Sequence, residues 1–385
     1  MLNFTFYSPT KFVFGKGEEN NIGKLLAERG TKKVLLHYGG QSAEKSGLLG
    51  RVRTSLDSAG IAYVELGGVH PNPRYSLAKE GMELARKEAV DLILAVGGGS
   101  VVDSSKCIAI GALYDGDVWQ DFYMDKKEIT AALPVACILT IAAAGSEGSP
   151  GTVISNREVG IKEGVRASDL LRPVLSILNP ELTMTLPAYQ TACGVTDMFI
   201  HLIERYFTNT PDVNITDEMI EGLMRTILKY GKVAVEHPDD YNARAQIMWA
   251  GTLAHNNICG VGREQDWASH HIQHRIGAKY DSAHGAGLAT VFPAWAKYVY
   301  KHDVPRFVRF ATKVMGVDND VFHPEEVALE GIARIKAYFS SIGMPTSLSE
   351  LGVKDEDIKE LANFKDGFFV KLTPADMEQI YELAK

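Results

Sequence analysis

Leu92-Ile93-Leu94-Ala95-Val96-Gly97-Gly98-Gly99-Ser100-Val101-Val102-Asp103 is the stretch that decides the fold. Its first five residues form a short apolar run closed by glycine, which reads as a strand buried on both faces. The glycines then turn the chain into a helix. Ser100 is expected at its N-cap and Asp103 at the third helical position, a capping-box spacing. Working outward, the same unit recurs upstream. Residues 34–38 form an apolar strand ending at Gly39-Gly40, and helical spacing follows over 43–59. Residues 62–66 give a second strand, followed by the Pro71-Asn72-Pro73 loop and a helix over 76–88. Downstream, residues 133–140 add another strand. Alternation of this kind predicts an α/β domain with a Rossmann-like parallel sheet wound with helices.

After Pro187 the pattern changes. Residues 189–207, 217–235, 241–257 and 323–341 carry helical spacing, and strand-like alternation is scarce. The expected division is an α/β domain over 1–182 and an all-α domain over 183–385, with the break in Asn179-Pro180-Glu181-Leu182-Thr183. At the N-terminus, residues 3–7 read as an apolar strand, suited either to another chain or to the edge of its own sheet.

Forty basic residues against 48 acidic ones give a net charge of −8. That leaves no basic footprint for nucleic acid or an anionic membrane surface. Four dispersed cysteines without a C-x-x-C pair fit a reducing, cytoplasmic setting and argue against a thiolate zinc site. No leader-like segment or membrane-length apolar run is read.

Two features carry chemistry. The Gly97-Gly98-Gly99 turn, at the start of a helix, suits close approach to a phosphate, although a plain turn is the alternative. At the end of the first wound strand, Gly39, Gly40, Gln41 and Ser42 are all neutral. A dinucleotide held there would meet no carboxylate for its ribose 2′-hydroxyl, which leans towards NADP over NAD. The second feature is a set of histidines. Asp197 and His201, four apart on an apolar helix, project from one face. Four of the eleven histidines fall between 270 and 284. His270 and His274 share a face, while His271 points elsewhere. Imidazole and carboxylate suit zinc or iron(II), and spacing alone leaves open which of His270, His274 and His284 bind.

Taken together, these motifs resemble the iron-containing (group III) alcohol dehydrogenase family, most closely its butanol dehydrogenase branch. The likeness runs from Pro9-Thr10-Lys11-Phe12 through Pro71-Asn72-Pro73, the glycine turn and Gly145-Ser146-Glu147. It continues through Gly194-Val195-Thr196-Asp197, Asp266-Trp267-Ala268-Ser269-His270, His284-Gly285 and Gly343-Met344-Pro345-Thr346. The resemblance implies a dinucleotide domain, a helical domain of dehydroquinate synthase-like architecture, and metal and nicotinamide in a cleft. It assigns Asp197, His201, His270 and His284 as ligands of one divalent ion, Fe2+ or Zn2+, and His274 as the catalytic histidine beside the nicotinamide.

The cofactor positions it implies are Gly39, Gly40, Gln41, Ser42, Asn72, Gly98, Gly99, Ser100, Asp103, Thr140, Ser149, Lys162, Leu182 and His274. Lys162 would lie near a 2′-phosphate, so NADP(H) is expected over NAD(H). The implied reaction is hydride transfer between NADP(H) and a primary alcohol or aldehyde such as butanol or butanal, in a homodimer. Glycerol dehydrogenase-like and dehydroquinate synthase-like enzymes share the architecture. A metal- or nucleotide-binding protein without turnover is the reading from outside enzymology. Three positions depart from the family pattern: Ala144 for threonine, Ser149 for asparagine, and Asn179 for the aspartate of an Asp-Pro pair.

Overall fold

Apolar runs with no polar alternation must be covered on both sides, and Lys33–Tyr38, Leu92–Gly97, Val135–Leu139 and Leu175–Leu178 are. The computed structural model describes residues 1–385. Their contacts separate Tyr7–Thr185 from a second unit made of Leu186–Lys385 together with Met1–Phe6.

The first unit is built on β1 (Lys11–Phe14), β2 (Lys33–Tyr38), β3 (Ala62–Leu66), β4 (Leu92–Gly97), β5 (Val135–Leu139) and β8 (Leu175–Leu178), with a separate hairpin of β6 (Val153–Asn156) and β7 (Ile161–Gly164). The six-stranded sheet has the order β1-β8-β5-β4-β2-β3, and every pairing in it is parallel. Val34, Leu36, Leu92, Leu94 and Val96 pack with Leu49, Val52 and Leu56 of helix Leu48–Ser58 on one face. Leu35 and Ile93 pack with helices Tyr75–Lys87 and Gly99–Ala112 on the other. Each fully buried aliphatic side chain contributes roughly 1.5–3 kcal/mol. From β2 the chain adds β3 on one side and then returns to add β4 on the other. The winding therefore reverses between β2 and β4, the place where open α/β sheets hold ligands at the carboxyl ends of their strands.

Three local expectations are corrected. The helix read over 43–59 is two helices, Ser42–Lys45 and Leu48–Ser58, broken at Gly47, whose φ of +72° no ordinary helical residue adopts. Residues 3–7 form no strand, and the edge of the sheet is taken by β1 instead. Gly98, not Ser100, caps helix Gly99–Ala112, and no side chain closes that cap. Asp103 turns away from the cap and accepts from the amide of Val153 at 3.0 Å.

The second unit is helical: Ala188–Tyr206, Asn214–Glu236, Tyr241–His255, Ala268–Tyr280, His284–Val299, Val304–Lys313, Pro324–Ser341 and Pro374–Leu383 are its longer helices. Helix Ala188–Tyr206 is buried on nearly all sides over its last three turns, with Val195, Met198, Phe199, Ile200, Leu202 and Ile203 withdrawn from solvent. Polar side chains on such a helix must find partners inside the protein. No helix is long and apolar enough to cross a membrane.

Candidate functional site

Asp197, His201 and Glu204 are the polar side chains that this central helix buries on one side, one turn apart. Helix Ala268–Tyr280 brings His270 against them, and His284 opens the next helix. The ring Nε2 atoms of His201, His270 and His284 lie 3.4, 3.8 and 3.5 Å from a single atom, Asp197 Oδ1. Asp197 Oδ1 and His270 Nε2 are buried without a hydrogen bond.

Outer groups fix each ring. His270 Nδ1–H donates to Glu204 Oε1 at 2.8 Å, and the His270 amide donates to the same oxygen at 3.0 Å. His284 Nδ1–H donates to Gln273 Oε1. His201 Nδ1 lies 2.9 Å from His255 Nδ1, which also receives Arg205 Nη2 at 3.4 Å. A guanidinium can only donate, so His255 Nδ1 is the acceptor and His201 Nδ1 carries the proton. In all three rings the Nδ1 proton is thus spoken for, and the Nε2 lone pair faces Asp197. Burial, reinforced by the neighbouring His255 and His270, pushes His201 well below the ordinary imidazole range and keeps it neutral. Burial opposes protonation of His270 as well, but the neighbouring Asp197 and Glu204 carboxylates outweigh it and raise that ring.

This donor set fits a divalent ion. Donors about 2.1 Å from a common centre in a tetrahedron stand about 3.4 Å apart, which matches the spacing around Asp197 Oδ1. Held Nδ1 protons are the usual support for imidazole ligands. The cluster lies inside the protein: Asp197, His201 and His270 are each about 5% exposed, and the His284 side chain is 25% exposed. His274, one turn beyond His270, has its ring 6.4 Å from His270 and 5.6 Å from His284. His271 points outward and pairs with Asp366. Glu204, Gln273 and His255 escaped the sequence reading. Glu204 and Gln273 stand three residues after His201 and His270, a helical spacing that could have flagged them.

In the first unit the expected cofactor positions gather at the carboxyl edge of the sheet. Gly39, Gly40, Gln41 and Ser42 follow β2, Gly98, Gly99 and Ser100 follow β4, Thr140 follows β5, and Leu182 lies in the turn after β8. A Cβ at Gly97 would stand 2.4 Å from Val101, and one at Gly99 would stand 3.3 Å from Ser146 Oγ, so this turn packs too closely for side chains. Gly39 O accepts from Gly68 N at 2.9 Å, which ties the first turn to the loop carrying Asn72. Asn72 Oδ1 accepts from Lys162 Nζ at 2.9 Å. The nearby carboxylates Glu44 and Glu65 are both engaged by Arg53. His274 belongs to the other unit.

The family model for iron-containing alcohol dehydrogenases matches residues 9–180, and that for the C-terminal part of the same family matches residues 191–384. The chain is 40% identical to NADH-dependent butanol dehydrogenase A of Clostridium acetobutylicum, over 100% of this chain and 99% of that protein. It is 36% identical to the NADPH-dependent aldehyde reductase YqhD of Escherichia coli, covering 94% and 92%. Among solved structures, NADH-dependent butanol dehydrogenase A of Thermotoga maritima superposes with a TM-score of 0.96 at 42% identity, over 100% and 99% of the two chains.

Proposed function

The chain belongs to the iron-containing alcohol dehydrogenase family, and from that premise we propose that it interconverts a primary aldehyde, such as butanal, and its alcohol, using NADP(H) in preference to NAD(H) and one divalent ion. The observation that carries this reading is the convergence of three Nε2 atoms on Asp197 Oδ1, each ring with its other nitrogen already engaged. When bound, the ion supplies Lewis acidity to the substrate oxygen and the nicotinamide accepts or delivers the hydride.

The protein's own part is to hold and orient. Asp197, His201, His270 and His284 are the proposed ligands, one carboxylate and three imidazoles that bind through Nε2. Glu204, Gln273 and His255 keep the Nδ1 protons in place, so that each ring offers a lone pair at Nε2. The apolar helix beneath them excludes water. His274 is assigned the proton that the alcohol oxygen loses on oxidation and regains on reduction, held at a ring nitrogen.

For the cofactor, Gly39, Gly40, Gln41, Ser42, Gly98, Gly99, Ser100, Asp103, Thr140, Ser149 and Leu182 are the proposed contacts. The preference for NADP(H) is supported by the neutral turn at 39–42, by Arg53 occupying Glu44 and Glu65, and by the cationic Lys162 on Asn72. Lys162→Gln is expected to lower kcat/KM for NADPH about tenfold to a hundredfold, the worth of a charged hydrogen bond. Its kcat/KM for NADH should stay close to that of the unmodified protein. An equal loss with both cofactors, or a wild-type preference for NADH, would reverse the assignment. A homodimer is the expected assembly, checked by mass in solution.

A further inference from the structure

Helix Gly99–Ala112 carries a charged side chain that nothing above employs. Lys106 is fully buried. Its ammonium donates to Ser146 O at 2.8 Å, Ser149 O at 2.9 Å, Gly151 O at 2.9 Å and Ser149 Oγ at 3.1 Å. Two further side chains take the carbonyls in between: Ser176 Oγ donates to Glu147 O at 2.6 Å, and Arg172 Nη1 to Gly148 O at 2.6 Å. The carbonyls of residues 146–149 and 151 are therefore all drawn towards buried donors. An ammonium is kept out of water only where acceptors replace its hydration, and here a loop without regular structure supplies every one of them.

That loop lies against the glycine turn, as the closeness of Ser146 Oγ to Gly99 shows. Lys106 stands on the helix that begins at the same turn. We propose that Lys106 is a positioning residue for the dinucleotide: it anchors loop 146–151 to the glycine-turn helix and so fixes the surface that the loop presents to the cofactor. The Ser149 hydroxyl accepts from Lys106, which turns its own proton away from the ammonium. This inference rests on the reading that Gly98, Gly99 and Ser149 contact the cofactor.

Lys106→Met removes the ammonium and keeps the stem. The variant is expected to raise the NADPH dissociation constant and the KM for NADPH about tenfold or more. Its KM for butanal, its kcat at saturating NADPH and its bound metal should remain at wild-type values, and Lys106→Arg should recover most of the affinity. A second arm needs no variant. Burial brings Lys106 down to about 8, with Asp103, Cys137 and Glu147 favouring the charged form and Arg172 opposing it. NADPH binding by the unmodified protein should then weaken as pH rises from 7 to 9, and this limb should be absent in Lys106→Arg.

Gly99→Val, which closes the turn itself, separates the two readings. Loss of NADPH binding in Gly99→Val while folded Lys106→Met binds normally would overturn the role of Lys106 alone. Normal binding by both variants would overturn the cofactor reading and the inference with it. If Lys106→Met does not fold, NADPH binding that is flat from pH 7 to 9 in the unmodified protein overturns the inference.

Discussion

At the scale of single residues, the outer partners of the histidines are the most exacting test of the site. Glu204 accepts both the ring proton and the amide of His270. Replacing it by glutamine keeps the shape and removes the charge. Glu204→Gln should therefore weaken metal binding about tenfold to a hundredfold, read by competition with a chelator, without unfolding the protein. An unchanged metal affinity would make Glu204 a packing residue. Asn179 makes a different point. Its Nδ2 donates to the buried Glu19 at 2.9 Å while its Oδ1 accepts from Glu181 N at 3.0 Å. An aspartate could cap the turn but would oppose the Glu19 carboxylate. Asn179→Asp is expected to cost about 1–3 kcal/mol, measured by urea unfolding. A neutral outcome would show that Arg51, which also pairs with Glu19, absorbs the added charge. The departure at Asn179 was visible in the sequence, but its reason was not, because Glu19 lies 160 residues away. Nothing in the structure explains Ala144.

At the scale of elements, His37 joins strands to helix. It sits in β2, its Nδ1–H donates to Leu66 O at 2.7 Å, and its Nε2 accepts from Ser104 Oγ at 2.8 Å on helix Gly99–Ala112. Burial pushes its pKa down to about 4. Between pH 6.5 and about 4 the unfolded chain takes up a proton there that the folded chain refuses. Stability is therefore lost as pH falls through that window, by up to about 3 kcal/mol from this group. His37→Gln should flatten this limb in unfolding measurements at pH 7, 5.5 and 4.5. A limb of the same size in both proteins would assign it to other groups. Strands β2 to β5 were legible because they are short apolar runs, whereas the buried β8 lies in a stretch whose sequence reads as turns. What escaped were features set by tertiary contact: the edge strand Lys11–Phe14, which pairs with β8 more than 150 residues away, and the β6–β7 hairpin, whose sequence carries no strong alternation. The cap of the helix after β4 was misread because Asp103 finds a better partner in Val153 N than in the helix start.

At the scale of the whole molecule, the succession of a wound parallel sheet and a helical portion could be read from the change of period after Pro187. The assignment of Met1–Phe6 to the helical unit could not. Its anchors, Met1 N to Pro211 O and Leu2 N to Gly262 O, are backbone contacts with no signature in sequence. The candidate metal centre was half legible. Helical spacing paired Asp197 with His201, but the choice among His270, His274 and His284 came from resemblance. In the structure, the Nε2 atoms of His270 and His284 are the ones that face Asp197. These four side chains are proposed to hold an ion on which aldehyde reduction depends. The most direct test of that dependence is butanal-dependent oxidation of NADPH by the purified protein, assayed as prepared, after chelation with metal content verified, and after adding back iron(II) or zinc. Turnover should be lost on chelation and recovered with one of the two ions. Turnover that persists after verified metal removal would contradict that dependence and reduce Asp197 and the three histidines to structure.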